Sequence, residues 1–122
     1  MPASRRFRVL FDDIAWAEDL HHASAAGAIA GYAAREWLET SGLLAEDIKP
    51  CLAEGPDGTR LSGCVKVYLP APIGPWGLVL GLRPLEGEPV LYHLAFGLRH
   101  PTHAWQLSVY QVADHRLHGS RS

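Results

Sequence analysis

The chain has 122 residues, 48% of them hydrophobic and 20% charged. This is the composition of one ordinary folded domain with a real core, and it excludes a disordered or fibrous chain. Net charge is −2 and the isoelectric point about 6.4, which excludes a protein that coats nucleic acid through bulk charge.

The charge is uneven. Residues 1–59 carry ten acids against five cations, and residues 60–122 carry six cations against three acids, with five of the seven histidines. No apolar run approaches ~18 residues, so no membrane span is expected. The apolar run behind Arg5 and Arg6 is too short for a signal peptide. Cys51 and Cys64 are the two cysteines. In a small protein expected to be cytoplasmic they read as reduced, structural thiols. One α+β domain is expected over residues 1–119, with 120–122 set aside as a tail of the kind cloning leaves.

Arg6–Asp12 alternates and reads as a first strand, with Phe7, Val9 and Phe11 on one side and Arg6, Arg8 and Leu10 on the other. Asp12 or Asp13 can cap a helix from Ile14 to about His22. Ser24 can cap a second one to about Thr40. Ile29, Ala33 and Trp37 share a face of that helix, with Ala26 and Ala30 beside them, and Gly42 is a suitable stop. Gly27 and Gly31 weaken the helix by ~1 kcal/mol each but permit close packing on a sheet. Leu43–Glu54 reads as a short helix broken at Pro50. Gly55–Gly58 is a turn.

From there the period changes to two. Arg60–Leu69 sets Val65, Val67 and Leu69 against Cys64, Lys66 and Tyr68. Residues 70–75 form a proline-rich loop. Trp76–Arg83 sets Trp76, Leu78, Leu80 and Leu82 against Gly77, Val79, Gly81 and Arg83. After a turn over Leu85–Glu88, the stretch Pro89–Pro101 sets Val90, Tyr92, Leu94, Phe96 and Leu98 against Leu91, His93, Ala95, Gly97 and Arg99. These runs predict an antiparallel meander. Ser108 followed by Gln111 is a capping box, and Val109, Val112, Ala113 and Leu117 continue at helical spacing to Gly119. A strand over Gln106–Val112 is the competing reading.

The expected order is β-α-α-β-β-β-α, an antiparallel sheet with helices on one face. The opposite face then gathers Arg6 and Arg8, Lys66 and Tyr68, Arg83, His93 and Arg99, with glycines between. No acid falls on the interior strand positions of that face. Arg and Lys there suit a phosphate backbone, although cations on an open sheet face also serve solubility alone.

The segments FRVLFDDIAWAEDL, RLSGCVKVYL, GLVLGLRP, VLYHLAFGLRHP and SVYQVADHRLHG, in this order, resemble the RelE/ParE toxin superfamily. The resemblance implies a ribosome-dependent or RNA-directed ribonuclease, or translation inhibitor, with an antitoxin protein and RNA or the ribosome as partners, and no cofactor. Carried over by position, it implies that Lys66, Arg83 and Arg99 stabilise phosphate charge. Tyr110 or His115 would transfer protons during attack of the RNA 2′-hydroxyl on its phosphate. Arg6, Arg8, Tyr68, His93 and His100 would contribute to binding. The superfamily's Gly-Asp-Tyr-Arg run is absent, and Gly81-Leu82-Arg83-Pro84 stands in its place. The same face could serve a non-catalytic module that binds protein or nucleic acid.

Other chemistries are less well marked. His100-x-x-His103 and His115-x-x-His118 have metal-ligand spacing, but neither pair is completed by a Cys or an acid at a recognised distance, so no metal is assigned. Cys64 lacks the surroundings of a nucleophile, and no G-x-S-x-G elbow occurs.

Overall fold

The computed structural model describes residues 6–55, 58–68, 75–103 and 105–119. The first strand is split in two, β1 (Arg6–Phe7) and β2 (Val9–Leu10). Two helices follow, α1 (Asp13–His21) and α2 (Ala25–Ser41). Then come β3 (Leu43–Leu44), a 3₁₀ turn over Ala45–Asp47 and β4 (Lys49–Pro50). The meander is β5 (Cys64–Tyr68), β6 (Trp76–Leu85) and β7 (Glu88–Leu98), and α3 (Val109–Leu117) follows it. The α+β class is as expected. The proline-rich loop at 70–74, residues 56–57 of the expected turn and the tail at 120–122 lie outside the described residues. Among those described, no helix is long and apolar enough to cross a membrane.

The main sheet has the order β2-β7-β6-β5-β4, and β1 pairs with β3 in a separate ribbon. β2 runs parallel to β7 and the remaining neighbours are antiparallel, so the sheet is mixed rather than wholly antiparallel. The expected helix over Leu43–Glu54 is instead two short strands around a 3₁₀ turn. Lys49 and Pro50 pair with Lys66 and Val65 at the sheet edge, where a proline's missing N–H is harmless.

Local signals set the helix ends and the hairpin. Asp12 Oδ1 accepts from Ile14 N and Ala15 N at 3.0 and 3.1 Å, and Ser24 Oγ accepts from Gly27 N. Ser108 Oγ accepts from Gln111 N at 3.1 Å while Gln111 Oε1 accepts from Ser108 N at 2.9 Å, so the capping box is complete and α3 is a helix. Glu86 and Gly87 both have positive φ, 51° and 85°, the geometry of a two-residue hairpin that follows the strand twist.

α1 and α2 cover one sheet face. Trp16, Ala30, Ala34 and Leu38 pack there on Val9, Val67, Leu78, Leu80, Leu91 and Phe96. The buried side of α2 is Gly27, Ala30, Gly31, Ala34 and Leu38, not the expected Ile29–Ala33–Trp37 stripe. Ile29 is 72% exposed and Trp37 45%. The reason is steric. A Cβ on Gly27 would strike the Trp76 ring, and one on Gly31 would lie 2.9 Å from Phe96 Cε2. The glycine edge lets two aromatic rings seat against the helix, as the bulkier stripe could not.

Two further departures concern the face expected to be open. First, α3 lies on it. Val109 and Ala113 are buried with Leu61, Cys64, Val79, Leu94 and Ala95. The small residues that lower this face form a helix seat; a Cβ on Gly97 would touch Val109 Cβ at 3.9 Å. Second, β7 carries a bulge. Val79 pairs with Ala95 but Leu80 pairs with His93, so Leu94 is the extra residue. The bulge inverts the first half of the strand. Leu91 belongs to the α1/α2 core, and Tyr92 and Leu94 to the α3 side, opposite to a strict period of two.

Candidate functional site

Four of the expected site residues are gathered around one cavity of about 660 Å³: Lys66, Arg99, His100 and Tyr110. Lys66 enters from β5, where Val65 and Val67 take the α1/α2 side and leave the lysine toward α3. Its Nζ lies 5.8 Å from the centroid of the Tyr110 ring. Arg99 follows β7 and is tied by its backbone, Arg99 N donating to Pro75 O at 2.9 Å. Its stem passes over Gly77, where an added Cβ would lie 2.7 Å from Arg99 Cγ. A side chain at Gly77 would force the Arg99 stem to shift.

The loop after β7 brings His100 and His103 to the rim, and the first turn of α3 supplies Tyr110 and Gln111. That turn contains no acid. Among the described residues, neither Asp nor Glu lines the cavity. Two permanent cations, two imidazoles and the positive end of a helix therefore share one concave surface.

Cys51 also lines this cavity. Burial pushes its thiol up to about 11; the neighbouring Cys64 adds to the rise and Lys66 opposes it. Burial raises Cys64 as well. Both sulfurs are protonated at neutral pH, which does not suit a cysteine nucleophile. Among the described residues, no group of three or more His, Cys, Asp or Glu side chains is placed to hold a metal ion.

The other expected residues lie apart from this cavity. Arg83 is near the hairpin end of the sheet, its guanidinium carbon 4.0 Å from the centre of the Tyr92 ring. Arg6 belongs to the small ribbon and donates to Ser41 O at 2.9 Å. Arg8 lies between the two short strands, and its carbonyl accepts from Leu91 N. His115 is on another side of α3, against a second cavity of about 530 Å³ lined by Trp76, Phe96 and Trp105. Tyr68 has its backbone in β5, and its side chain lies outside the described part of the structure. The expected single cationic face is thus divided, because α3 covers the middle of it and β2 is displaced to the far edge.

His93 is the plainest correction. The bulge turns it away from the α3 side and into the α1 side, where its side chain is fully buried. His93 Nε2 lies 2.7 Å from Asp19 Oδ2, which also accepts from Phe96 N at 2.9 Å. Arg116 reaches Asp19 Oδ1 at 2.8 Å, Glu18 at 2.8 Å and the Leu94 carbonyl at 2.7 Å. Burial alone lowers the Arg116 pKa, but its hydrogen bonds to Asp19 and Glu18 outweigh that and hold it above the ordinary guanidinium value. The network binds α1 to α3 across β7 at His93–Phe96. Reading the strands alone misses Asp19, because the acid comes from a helix. Its signal is its position three residues after Trp16, on the one buried face of α1.

No family model, no curated protein and no solved structure matches this chain. The class is therefore that of the fold, an α+β protein with a mixed sheet between helices.

Proposed function

We propose that the cavity between β5, the loop after β7 and α3 binds a phosphate-bearing ligand, with single-stranded RNA as the foremost class. One observation carries this reading. Lys66, Arg99, His100 and His103 line one cavity, and among the described residues no carboxylate lines it with them. A solubility role would scatter cations over exposed surface and would tolerate acids among them. In this reading Arg99 offers a forked donor to phosphate oxygens and Lys66 a point charge. The first turn of α3 adds its backbone dipole.

The resemblance to the RelE/ParE superfamily extends the reading to ribonuclease chemistry. Tyr110 is then the proton-transfer group, because it shares the cavity with Lys66 and Arg99. Arg83 and His115 drop out of that assignment because they lie elsewhere.

The test is fluorescence anisotropy with a short labelled single-stranded RNA over a range of salt. Binding should weaken steadily as salt rises. Lys66→Ala and Arg99→Ala should each weaken it about tenfold, in keeping with ~1.5–3 kcal/mol for a hydrogen bond to a charged group. Absence of binding at low salt, or binding indifferent to both substitutions, refutes the proposal. Incubation of end-labelled RNA separates the two levels. Cleavage that Tyr110→Phe abolishes supports the ribonuclease reading, and binding without cleavage leaves the non-catalytic module.

A further inference from the structure

We infer that Cys51 and Cys64 are a paired redox-modification site, closing to a cross-strand disulfide on the wall of the cation-lined cavity when the protein meets a peroxide. The inference goes beyond the phosphate reading and does not depend on it.

The argument begins with register. Lys49 and Pro50 pair with Lys66 and Val65, and the next antiparallel pair in that series is Cys51 with Cys64. Cys51 N donates to Cys64 O at 3.0 Å, while Cys64 N donates to Leu61 O at 3.1 Å, so the two are neighbours that face each other across a single ladder bond. Such neighbours have Cα atoms about 5.5 Å apart, inside the range of about 4.4–6.8 Å that a disulfide spans. Both side chains are on the same side of the sheet, since Cys51 packs against the cluster that contains Cys64. Both thiols are free in the structure.

What remains is to close the Cβ atoms by about 1–2 Å, from cross-strand spacing to disulfide spacing. Local structure makes that movement cheap. β4 is a two-residue edge strand, held on one side only. A bond formed with slight strain is also easier to reduce, as a reversible site requires.

The two sulfurs have different access. Cys51 is half-buried and lines the cavity, whereas Cys64 is 4% exposed. Cys51 therefore reacts first. Its thiolate attacks one peroxide oxygen, the O–O bond breaks, and the departing hydroxide leaves as water with the thiol's proton. The product is a sulfenic acid. The Cys64 sulfur then attacks the Cys51 sulfur. The S–S bond forms, the S–O bond breaks, and the oxygen leaves as a second water with the Cys64 proton. Two thiols lose two electrons, and one peroxide becomes two waters. The raised pKa of Cys51 makes the first step slow at neutral pH, with a rate that grows about tenfold per pH unit until its thiol ionises.

The full chain is treated with hydrogen peroxide at several pH values, alkylated under denaturing conditions and digested with trypsin without reduction. Arg60 lies between the two cysteines, so a disulfide joins two peptides that are otherwise separate. The expected result is a monomer lighter by two hydrogens that shows this linked pair. The linked pair should return to two peptides on reduction, and the rate should rise about tenfold per pH unit below the Cys51 pKa. Cys51→Ser should give no linked peptide. Diamide, a thiol oxidant that forms no sulfenic acid, should give the same linked peptide in the wild-type chain. Oxygen added at Cys51 while Cys64 is still alkylated, links between two chains only, or two alkylatable thiols after both oxidants would each overturn the inference.

Discussion

The Nε2 atom of His93 lies 2.7 Å from Oδ2 of Asp19, and neither side chain is exposed beyond a few per cent. This contact joins β7 to α1, and Arg116 brings α3 to the same carboxylate. One buried acid therefore meets the His93 ring, the Arg116 guanidinium and a backbone N–H. Asp19→Ala should cost about 3–5 kcal/mol, the range for breaking a buried ion pair from one side. Urea unfolding followed by circular dichroism measures it. A loss below about 1 kcal/mol would show that the network is not a structural tie.

Gly27 separates helix propensity from packing. Propensity alone expects Gly27→Ala to stabilise α2 by up to ~1 kcal/mol. The Trp76 ring occupies the space a Cβ would need. Overpacking of this kind typically costs about 1–3 kcal/mol, so the variant should melt below the wild type. Calorimetry decides the sign.

Cation position, not cation number, should control anion binding. The double variant Lys66→Ala/Arg99→Ala and the single variant Arg83→Ala both lower the positive charge. Only the first touches the cavity. RNA affinity should fall about a hundredfold for the double variant, if two charge-assisted contacts add. It should change less than about threefold for Arg83→Ala, whose guanidinium is stacked on Tyr92 outside the cavity.

Alkaline pH should destabilise the fold through Cys51. Its thiol has an ordinary value of 9.0 and is raised to about 11 in the folded chain. A group whose folded pKa is raised contributes stability below its unfolded pKa and loses that contribution as pH rises to the folded one. Stability should therefore fall between about pH 9 and 11, and Cys51→Ser should flatten that part of the curve. A denaturation series across this range is the measurement.

The N-cap of α3 supports the cavity wall. Ser108→Ala removes the hydroxyl that accepts from Gln111 N and should cost about 1 kcal/mol. Because Tyr110 and Gln111 sit in the turn that it caps, RNA affinity should fall with it. Ser108→Asp should restore stability, as an alternative cap, but not affinity, because it brings a negative charge beside Lys66 and Arg99.

Much of this was legible in the chain itself. Ser24, Asp12 and the Ser108–Gln111 box mark helix starts because a side-chain oxygen reaches its own backbone N–H groups, a contact that needs no distant partner. Alternation in Cys64–Tyr68 and Trp76–Arg83 assigns faces for the same reason, since successive side chains on a regular strand must oppose. Lys66 and Arg99 were placed on the correct side by that rule. Tertiary structure decided the rest. A one-residue bulge at Leu94 is invisible to periodicity, and it places His93 in a buried hydrogen bond with Asp19 instead of on a surface. The packing edge of α2 depended on where Trp76 and Phe96 would arrive. The small residues of the second face were ambiguous between a ligand floor and a helix seat until α3 was seen to lie on them. Local hydrogen bonds and strand geometry belong to adjacent residues. Which surfaces meet depends on contacts between residues far apart in the chain, and these divided one expected cationic face into a cavity, a buried network and a solvent-facing remainder.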